Sequence, residues 1–157
     1  MEFYNQIAKG YDELHGREQL SKLNIIKNNL KIKYTDLLLD VGCGTGISSQ
    51  FNCNVIGIDL SFELLKLNKN KKKILSKAEN LPFKDNIFDF VVSITSMHNF
   101  TDIENSLKEM KRVGKDKFVF SILKRTDKFK DIESLIKIYF KINNVIEEEK
   151  DTIFFSN

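Results

Sequence analysis

A run of apolar residues that ends in closely spaced glycines most constrains the fold of this 157-residue chain. Leu37–Val41 reads LLLDV, and Gly42, Gly44 and Gly46 follow it directly. A short, nearly continuous apolar run is typical of a strand that is buried on both faces. Glycine permits a tight turn and lets backbone N–H groups approach a ligand with no Cβ in the way. The segment therefore predicts a buried strand followed by a ligand-binding loop.

Further apolar runs alternate with amphipathic segments along the chain. The predicted strands are 37–41, 54–59, 73–77, 88–94, 117–123, 145–149 and 152–155. The predicted helices are 18–30, 62–71, 102–113 and 129–141. Strands that alternate with helices predict an α/β fold with a mostly parallel seven-stranded sheet and helices on both faces. A two-residue turn at Lys150 and Asp151 predicts that the last two strands form a C-terminal antiparallel hairpin.

Length and composition narrow the classes of protein that remain. Residues 1–157 have the length of a single domain, and 41% apolar with 30% charged residues exclude disordered and collagen-like chains. The net charge of +3 does not by itself require a nucleic-acid or membrane partner. No apolar run approaches the roughly 18 residues that span a bilayer, and the polar start does not resemble a signal peptide. With only Cys43 and Cys53 available for disulfides, we expect a cytoplasmic protein.

The spacing of the glycines distinguishes between classes of ligand. Dinucleotide-binding proteins use G-x-G-x-x-G, and here Ile47 occupies the position of the third glycine. Asp40 stands two residues before the first glycine, where its charge would repel a pyrophosphate and attract a cationic group. The P-loop sequence G-K-[ST] is absent. A nicotinamide-dependent oxidoreductase is therefore disfavoured.

Four motifs occur in order and carry a family resemblance. They are DVGCGTG at 40–46, GIDLS at 57–61, AENLPF at 78–83 and FDFVVS at 88–93. With these motifs the chain resembles the class I S-adenosylmethionine-dependent methyltransferases, in particular the methyltransferase type 11-like group. The resemblance implies a Rossmann-like fold over the whole chain, with S-adenosylmethionine as cofactor and S-adenosylhomocysteine as product.

The resemblance assigns the polar end of the cofactor to the glycine-rich segment. Asp40 is expected to orient the methionine end, as acceptor for its ammonium group. Gly42, Cys43 and Gly44 are expected to pass under the ribose and methionine with bare backbone. Asp59 ends the second strand, and its two oxygens suit a bidentate grip on the ribose hydroxyls.

The remaining family positions surround the adenine and the methyl group. Leu60 is expected to pack on the adenine, and Ala78 and Glu79 are expected to lie along its edge. Ser93, at the end of the fourth strand, is expected to face the cofactor near the methyl group. The family usually has an acid where this chain has Lys77, so an acceptor for the adenine amino group is missing there. Glu79 is the candidate to replace it.

Two further predictions concern the N-terminal residues and the segment after the fourth strand. Residues 1–16 resemble an N-terminal arm that folds over the cofactor, and Tyr11 or Tyr4 is expected to contact the methionine moiety. His98 matches a family histidine after the fourth strand and is a candidate proton acceptor. A packing role for His98 is the alternative. The segment between Gly46 and Val55 is short, which predicts a stubby first helix.

The methyl acceptor is left open by the sequence. The chain is similar both to methyltransferases of tRNA wobble uridines, which can work with a small activator protein, and to quinone-pathway C-methyltransferases. The acceptor is thus expected to be an RNA base or a small molecule, and the partner an activator protein or a second copy. No metal site is expected, because no His/Cys/Asp/Glu cluster has ligand spacing. A methyltransferase-like scaffold without turnover is the alternative function.

Overall fold

A computed structural model describes residues 10–157, apart from the side chains of Tyr11, Asp12 and Leu14. In this part of the chain, seven strands form one sheet in the order β3-β2-β1-β4-β5-β7-β6. The strands are β1 Leu37–Val41, β2 Asn54–Asp59, β3 Lys73–Leu75, β4 Phe88–Ile94, β5 Gly114–Leu123, β6 Ile142–Glu147 and β7 Asp151–Ser156. The first five are parallel, and β7 runs antiparallel between β5 and β6. The predicted mostly parallel sheet with a C-terminal antiparallel hairpin is confirmed.

Within residues 10–157, four helices and two 3-10 turns accompany the strands. The helices are α1 Tyr11–Asn29, α2 Phe62–Leu67, α3 Ile103–Val113 and α4 Phe129–Tyr139, and the 3-10 turns are Ile47–Ser49 and Met97–Asn99. Polar caps fix two of the starts. The Ser61 hydroxyl accepts the N–H of Leu64, and the Asp102 carboxylate accepts the N–H of Asn105. Each cap satisfies a backbone donor that has no partner within its helix.

The helices cover both faces of the sheet. On one face α3 and α4 bury Leu107 and Ile136 against Phe120 of β5. On the other face α1 buries Ile26 against Phe90 of β4. Burial of each such side chain stabilises the fold by about 1.5–3 kcal/mol. None of the helices within residues 10–157 combines the length and apolar character needed to cross a membrane.

Several predicted boundaries differ from the structure. Helix α1 begins at Tyr11 rather than at residue 18, so residues 11–16 of the predicted arm belong to it, while residues 1–9 lie outside the described part. The stubby first helix is confirmed as the single 3-10 turn Ile47–Ser49. The prediction of a two-residue turn at Lys150 and Asp151 is wrong, because residues 148–150 form the loop and Asp151 is a buried residue of β7. Its carboxylate is held inside by an ion pair with Lys22.

Candidate functional site

A cleft opens at the carboxyl ends of β1, β2 and β4, where open α/β sheets bind ligands. The space between its walls is about 770 Å³, including space open to solvent. Its wall comprises Gln19, 42–45, Ile47, Ser48, 58–60, Leu64, 76–79, 94–96 and 99–101. The predicted residues Gly42, Cys43, Gly44, Asp59, Leu60, Ala78 and Glu79 are therefore brought together. Asp40, Ser93 and His98 do not line the cleft.

The glycine loop is held in a conformation that favours glycine. Gly42 and Gly44 have φ values of 81° and 51°, which L side chains rarely adopt. A Cβ on Gly42 would lie 2.4 Å from Ser96 Oγ, whereas a Cβ on Gly44 would meet only Leu64 Cδ1 at 3.7 Å. Gly42 thus lets two loops of the protein pack closely. Gly44 leaves open space on the cleft wall.

Asp59 connects the end of β2 to the glycine loop. Its Oδ2 accepts the N–H of Gly44 at 2.8 Å, and its Oδ1 accepts the N–H of Ser61 at 2.8 Å. The side chain is 8% exposed, and burial is the main cause that raises its pKa. A carboxylate has about four lone-pair sites, so each oxygen keeps capacity for a ligand hydroxyl.

Asp40 lies on the neighbouring strand, behind the loop. It is fully buried and accepts a hydrogen bond from the Ser49 hydroxyl, while its Oδ1 has no hydrogen-bond partner among the described residues. Burial raises its pKa to about 7, and the charge of Asp59 adds to the effect. A buried carboxylate oxygen without a partner favours a positively charged or hydrogen-bond-donating ligand.

Asn68 holds the glycine loop through its side-chain amide. The sequence did not predict this role. Its Nδ2 donates to the Gly44 carbonyl at 3.0 Å and lies 3.4 Å from Cys43 Sγ. Burial raises the pKa of the Cys43 thiol, which disfavours the thiolate that a nucleophile requires. The predicted helix 62–71 ends early because Asn68 turns inward at the end of α2. No local pattern predicts that turn.

The opposite wall of the cleft contains Leu60, Ala78 and Glu79. Leu60 is 40% exposed and offers an apolar surface. Glu79 Oε1 accepts the N–H groups of Thr101 at 2.8 Å and Asp102 at 3.1 Å, just before α3. Its carboxylate therefore joins two segments of the wall.

Ser93 faces β1 rather than the cleft. It is fully buried, and its hydroxyl donates to the Val41 carbonyl at 3.0 Å. The Ser96 hydroxyl lies 2.7 Å away and also donates to Val41, and Ser96 is the serine that lines the cleft. The sequence could have pointed to Ser96, because it lies in the loop after β4 where cleft residues of this fold occur.

His98 lies in the 3-10 turn after β4, beside the cleft wall. Its carbonyl accepts from Lys128 Nζ at 2.9 Å, and its Nε2 lies 3.2 Å from the side-chain nitrogen of Asn99. Burial lowers the pKa of the imidazole, which favours its neutral form. The predicted contact of Tyr11 concerns a side chain outside the described part of the molecule.

Helix α1 contributes a cleft residue that sequence reasoning missed. Gln19 is 5% exposed, and its Oε1 has no hydrogen-bond partner among the described residues. Nearby, Thr95 lines the cleft with a φ of 53° and donates to Asp151 Oδ2 at 2.7 Å. The helical pattern of α1 predicted only its apolar face. The described part of the chain holds no group of three or more His, Cys, Asp or Glu side chains placed to bind a metal ion.

Comparisons with known proteins agree with this geometry. Residues 39–121 match the family described as "Methyltransferase domain". An uncharacterized protein of Methanocaldococcus jannaschii is 34% identical over 158 residues, covering 97% of this chain and 63% of that protein. The demethylmenaquinone methyltransferase of Staphylococcus haemolyticus is 28% identical and covers 88% of this chain and 66% of its own length. The chain thus spans just under two thirds of these two curated relatives.

Two solved structures share the fold. A SAM-dependent methyltransferase from Aquifex aeolicus has a TM-score of 0.80 at 18% identity, with 97% of each chain covered. A methyltransferase in complex with the Haloferax volcanii Trm112 methyltransferase activator also has a TM-score of 0.80, at 13% identity, covering 98% of this chain and 96% of that one.

Proposed function

The chain belongs to the methyltransferase domain family, and we propose that it transfers a methyl group from S-adenosylmethionine bound in the cleft. The observation that carries the proposal is the pair Asp40 and Asp59, placed behind and beside one glycine loop. Ribose hydroxyls suit Asp59, which lines the cleft, and an ammonium group is attracted by the charge of Asp40 behind the loop. S-adenosylmethionine, the cofactor of this family, has both groups, and it supplies a methyl group on a sulfonium.

The described residues fit this cofactor. Asp59 has lone pairs left for the ribose hydroxyls, and the unpartnered Oδ1 of Asp40 would attract the ammonium. Gly44 leaves space for the ligand where a side chain would intrude. Leu60 and Ala78 provide apolar surface for an adenine ring. Ser93 acts through Val41 and Ser96 in this proposal, as a residue that shapes the loop.

The protein's part in the reaction is to position two reactants. Methyl transfer is an in-line displacement, so alignment and exclusion of water provide most of the rate enhancement. Residues 94–96 and 99–101 form the cleft wall past which an acceptor would approach. His98, which lies beside the cleft wall, is proposed as the proton acceptor for an acceptor atom that loses a proton on methylation, because burial lowers the pKa of its imidazole and favours the neutral form.

The acceptor is proposed to be an RNA base or a small molecule such as a quinone precursor. The demethylmenaquinone methyltransferase relative supports the second class. The connection between β5 and α4 is only residues 124–128, so no lid covers this side within the described chain. An open cleft suits an acceptor or a partner protein that covers it. The relative in complex with a methyltransferase activator supports a protein partner of that kind.

A second candidate function is cofactor binding without turnover. It is favoured by the single 3-10 turn Ile47–Ser49, which stands where a full helix would otherwise support the glycine loop. A scaffold of this kind would keep the cleft and a partner surface but transfer no methyl group.

Calorimetry with S-adenosylhomocysteine tests the proposal. We expect one binding site per chain and a lower affinity in Asp59→Ala. Absence of binding by a protein that circular dichroism shows to be folded contradicts the proposal. Transfer of tritiated methyl groups to bulk tRNA or to demethylmenaquinone then separates the two candidates, since only the enzyme produces labelled acceptor.

A further inference from the structure

Apolar side chains are unusually exposed along one edge of the sheet. Around α2 and β3, five large apolar side chains are 37–58% exposed: Leu60, Phe62, Leu67, Ile74 and Leu75. These residues are contiguous, because α2 packs against β3 and β3 pairs with the end of β2. Contiguous exposed apolar surface marks interaction sites more often than isolated residues do. We call these five residues the β3 edge surface.

The backbone of β3 is open on the outer side. Within residues 10–157, β3 pairs with β2 alone. On the inner side the Lys72 carbonyl accepts the N–H of Gly57, and the N–H of Ser76 donates to the Asp59 carbonyl. Backbone groups of a strand alternate in direction, so those of Lys73 and Leu75 point outward. Such an edge is a template for an added strand.

The charged residues around this edge are mostly lysines, so its charge is positive. Residues 60–77 contain six lysines, all exposed, and one acid. The lysines are Lys66, Lys69, Lys71, Lys72, Lys73 and Lys77. The acid, Glu63, is already paired with Lys66 at 2.8 Å. The β3 edge surface therefore combines apolar side chains, open strand backbone and strong positive charge.

We propose that the β3 edge surface binds an extended, acidic segment of a partner protein, which adds a strand beside β3. Acidic side chains complement the lysines, and apolar side chains of the same strand would cover Leu75 and its neighbours. A second copy paired through the same edge is disfavoured, because it would bring the two sets of lysines together. RNA would satisfy the lysines but would leave the open strand backbone and the aliphatic side chains without suitable partners.

The position of the surface gives the partner a role in cofactor binding, an inference that rests on the proposed function. Leu60 belongs to the β3 edge surface and also lines the cleft. Lys77, one of the lysines around this surface, lines the cleft as well. A strand bound here would shield that side of the cleft from water. By linkage, a partner that tightens cofactor binding is itself bound more tightly in the presence of cofactor.

A peptide of alternating Glu and Val, labelled with fluorescein, is the probe. We expect it to bind the whole protein in anisotropy titrations at low salt, and to slow hydrogen exchange at the amides of Lys73 and Leu75. A peptide of equal charge with Pro at every third position should bind at least tenfold more weakly, because it cannot form a strand. Leu75→Glu should weaken binding at least tenfold. Val145→Glu, which alters a comparably exposed apolar residue on the opposite edge, should leave it unchanged.

Three results would overturn the proposal. The first is that the Glu/Val peptide does not bind, and the second is that the Pro-containing peptide binds equally well. The third is that oligouridylate displaces the peptide and that Leu75→Glu no longer binds oligouridylate. A dimer in sedimentation at high protein concentration, abolished by Leu75→Glu, would instead assign the edge to a second copy. Calorimetry of the wild-type and Leu75→Glu proteins with S-adenosylhomocysteine is run in parallel. If the peptide binds and S-adenosylhomocysteine does not, the proposed function fails while the docking surface stands.

Discussion

Lys22 Nζ lies 2.9 Å from Asp151 Oδ1, and neither side chain is exposed to solvent. Thr95 Oγ1 accepts from the same Lys22 nitrogen at 2.9 Å and donates to Asp151 Oδ2 at 2.7 Å. Ser121 also donates to that oxygen, at 2.6 Å. The ion pair thus joins α1 and β7 to the loop after β4, and it holds the cleft residue Thr95 in place.

Removal of one partner from this pair should be strongly destabilising. Lys22→Met leaves a buried carboxylate without its counter-charge, so we expect the free energy of unfolding to fall by about 3–5 kcal/mol. Urea unfolding at pH 7 measures the change. The exposed Lys27→Met on the same helix is the control and should change stability by less than about 0.5 kcal/mol. In the double variant Lys22→Met with Asp151→Leu, a loss equal to the sum of the single losses would contradict the coupling.

The ion pair of Lys22 and Asp151 also shows which features the sequence could not predict, and why. Apolar runs predicted β1, β2 and β4 with the observed bounds, because a buried strand is encoded by its own residues. The local sequence around Asp151 predicts a turn, since aspartate favours turns, but its place in β7 depends on Lys22, which is distant in the chain. Gln19 and Asn68 were missed for the same reason: their surroundings in the cleft come from other elements. Ordered motifs could predict Asp59 and the glycine loop because these residues lie at the ends of recognisable strands.

The pKa of Asp40 predicts an opposite dependence of stability and ligand affinity on pH. The folded protein raises this pKa from its ordinary value to about 7, so the carboxyl favours the protonated form. Its contribution to stability is present at low pH and is lost as pH rises towards about 7, by at most about 1.4 kcal/mol for each pH unit. A ligand ammonium favours the carboxylate, so affinity for S-adenosylhomocysteine should rise over the same window.

The variant Asp40→Asn removes both dependences. We expect its free energy of unfolding to exceed that of the wild type by an amount that grows between pH 5 and pH 7. Its affinity for S-adenosylhomocysteine should be lower at pH 7.5 and nearly constant with pH. Thermal unfolding and calorimetry at several pH values measure the two quantities. A wild-type affinity that does not change between pH 5.5 and pH 7.5 would exclude this role for Asp40.

Asp59 should contribute to affinity through the ribose hydroxyls. We expect Asp59→Ala to weaken binding of S-adenosylhomocysteine by about 1–3 kcal/mol, because the hydroxyls lose their acceptor. The substitution also frees the amides of Gly44 and Ser61, so a loss of affinity alone is ambiguous. The 2′-deoxy analogue of the ligand resolves this. It should bind the wild type more weakly than the parent ligand does, and that difference should disappear in Asp59→Ala.

Two glycines of one loop should respond differently to alanine. In Gly42→Ala the new Cβ would lie 2.4 Å from Ser96 Oγ at a φ of 81°, so we expect a large loss of stability, of about 1–3 kcal/mol or more. In Gly44→Ala the strain remains, but the protein leaves space for the methyl group. That protein should fold and bind S-adenosylhomocysteine at least tenfold more weakly. Gly10→Ala, where a Cβ would meet nothing within 4 Å, is the control for both.

Gln19 should lower the stability of the free protein and raise its affinity for a ligand. Its buried Oε1 lacks a partner among the described residues, and an unsatisfied buried acceptor costs about 1–3 kcal/mol. Gln19→Leu removes that acceptor at similar volume, so we expect the ligand-free protein to become more stable. If the oxygen meets a donor on the cofactor, affinity for S-adenosylhomocysteine falls in the same variant. If it meets the methyl acceptor instead, cofactor affinity is kept and the KM for the acceptor rises. An unchanged or lower melting temperature in Gln19→Leu would show that the oxygen is satisfied in solution.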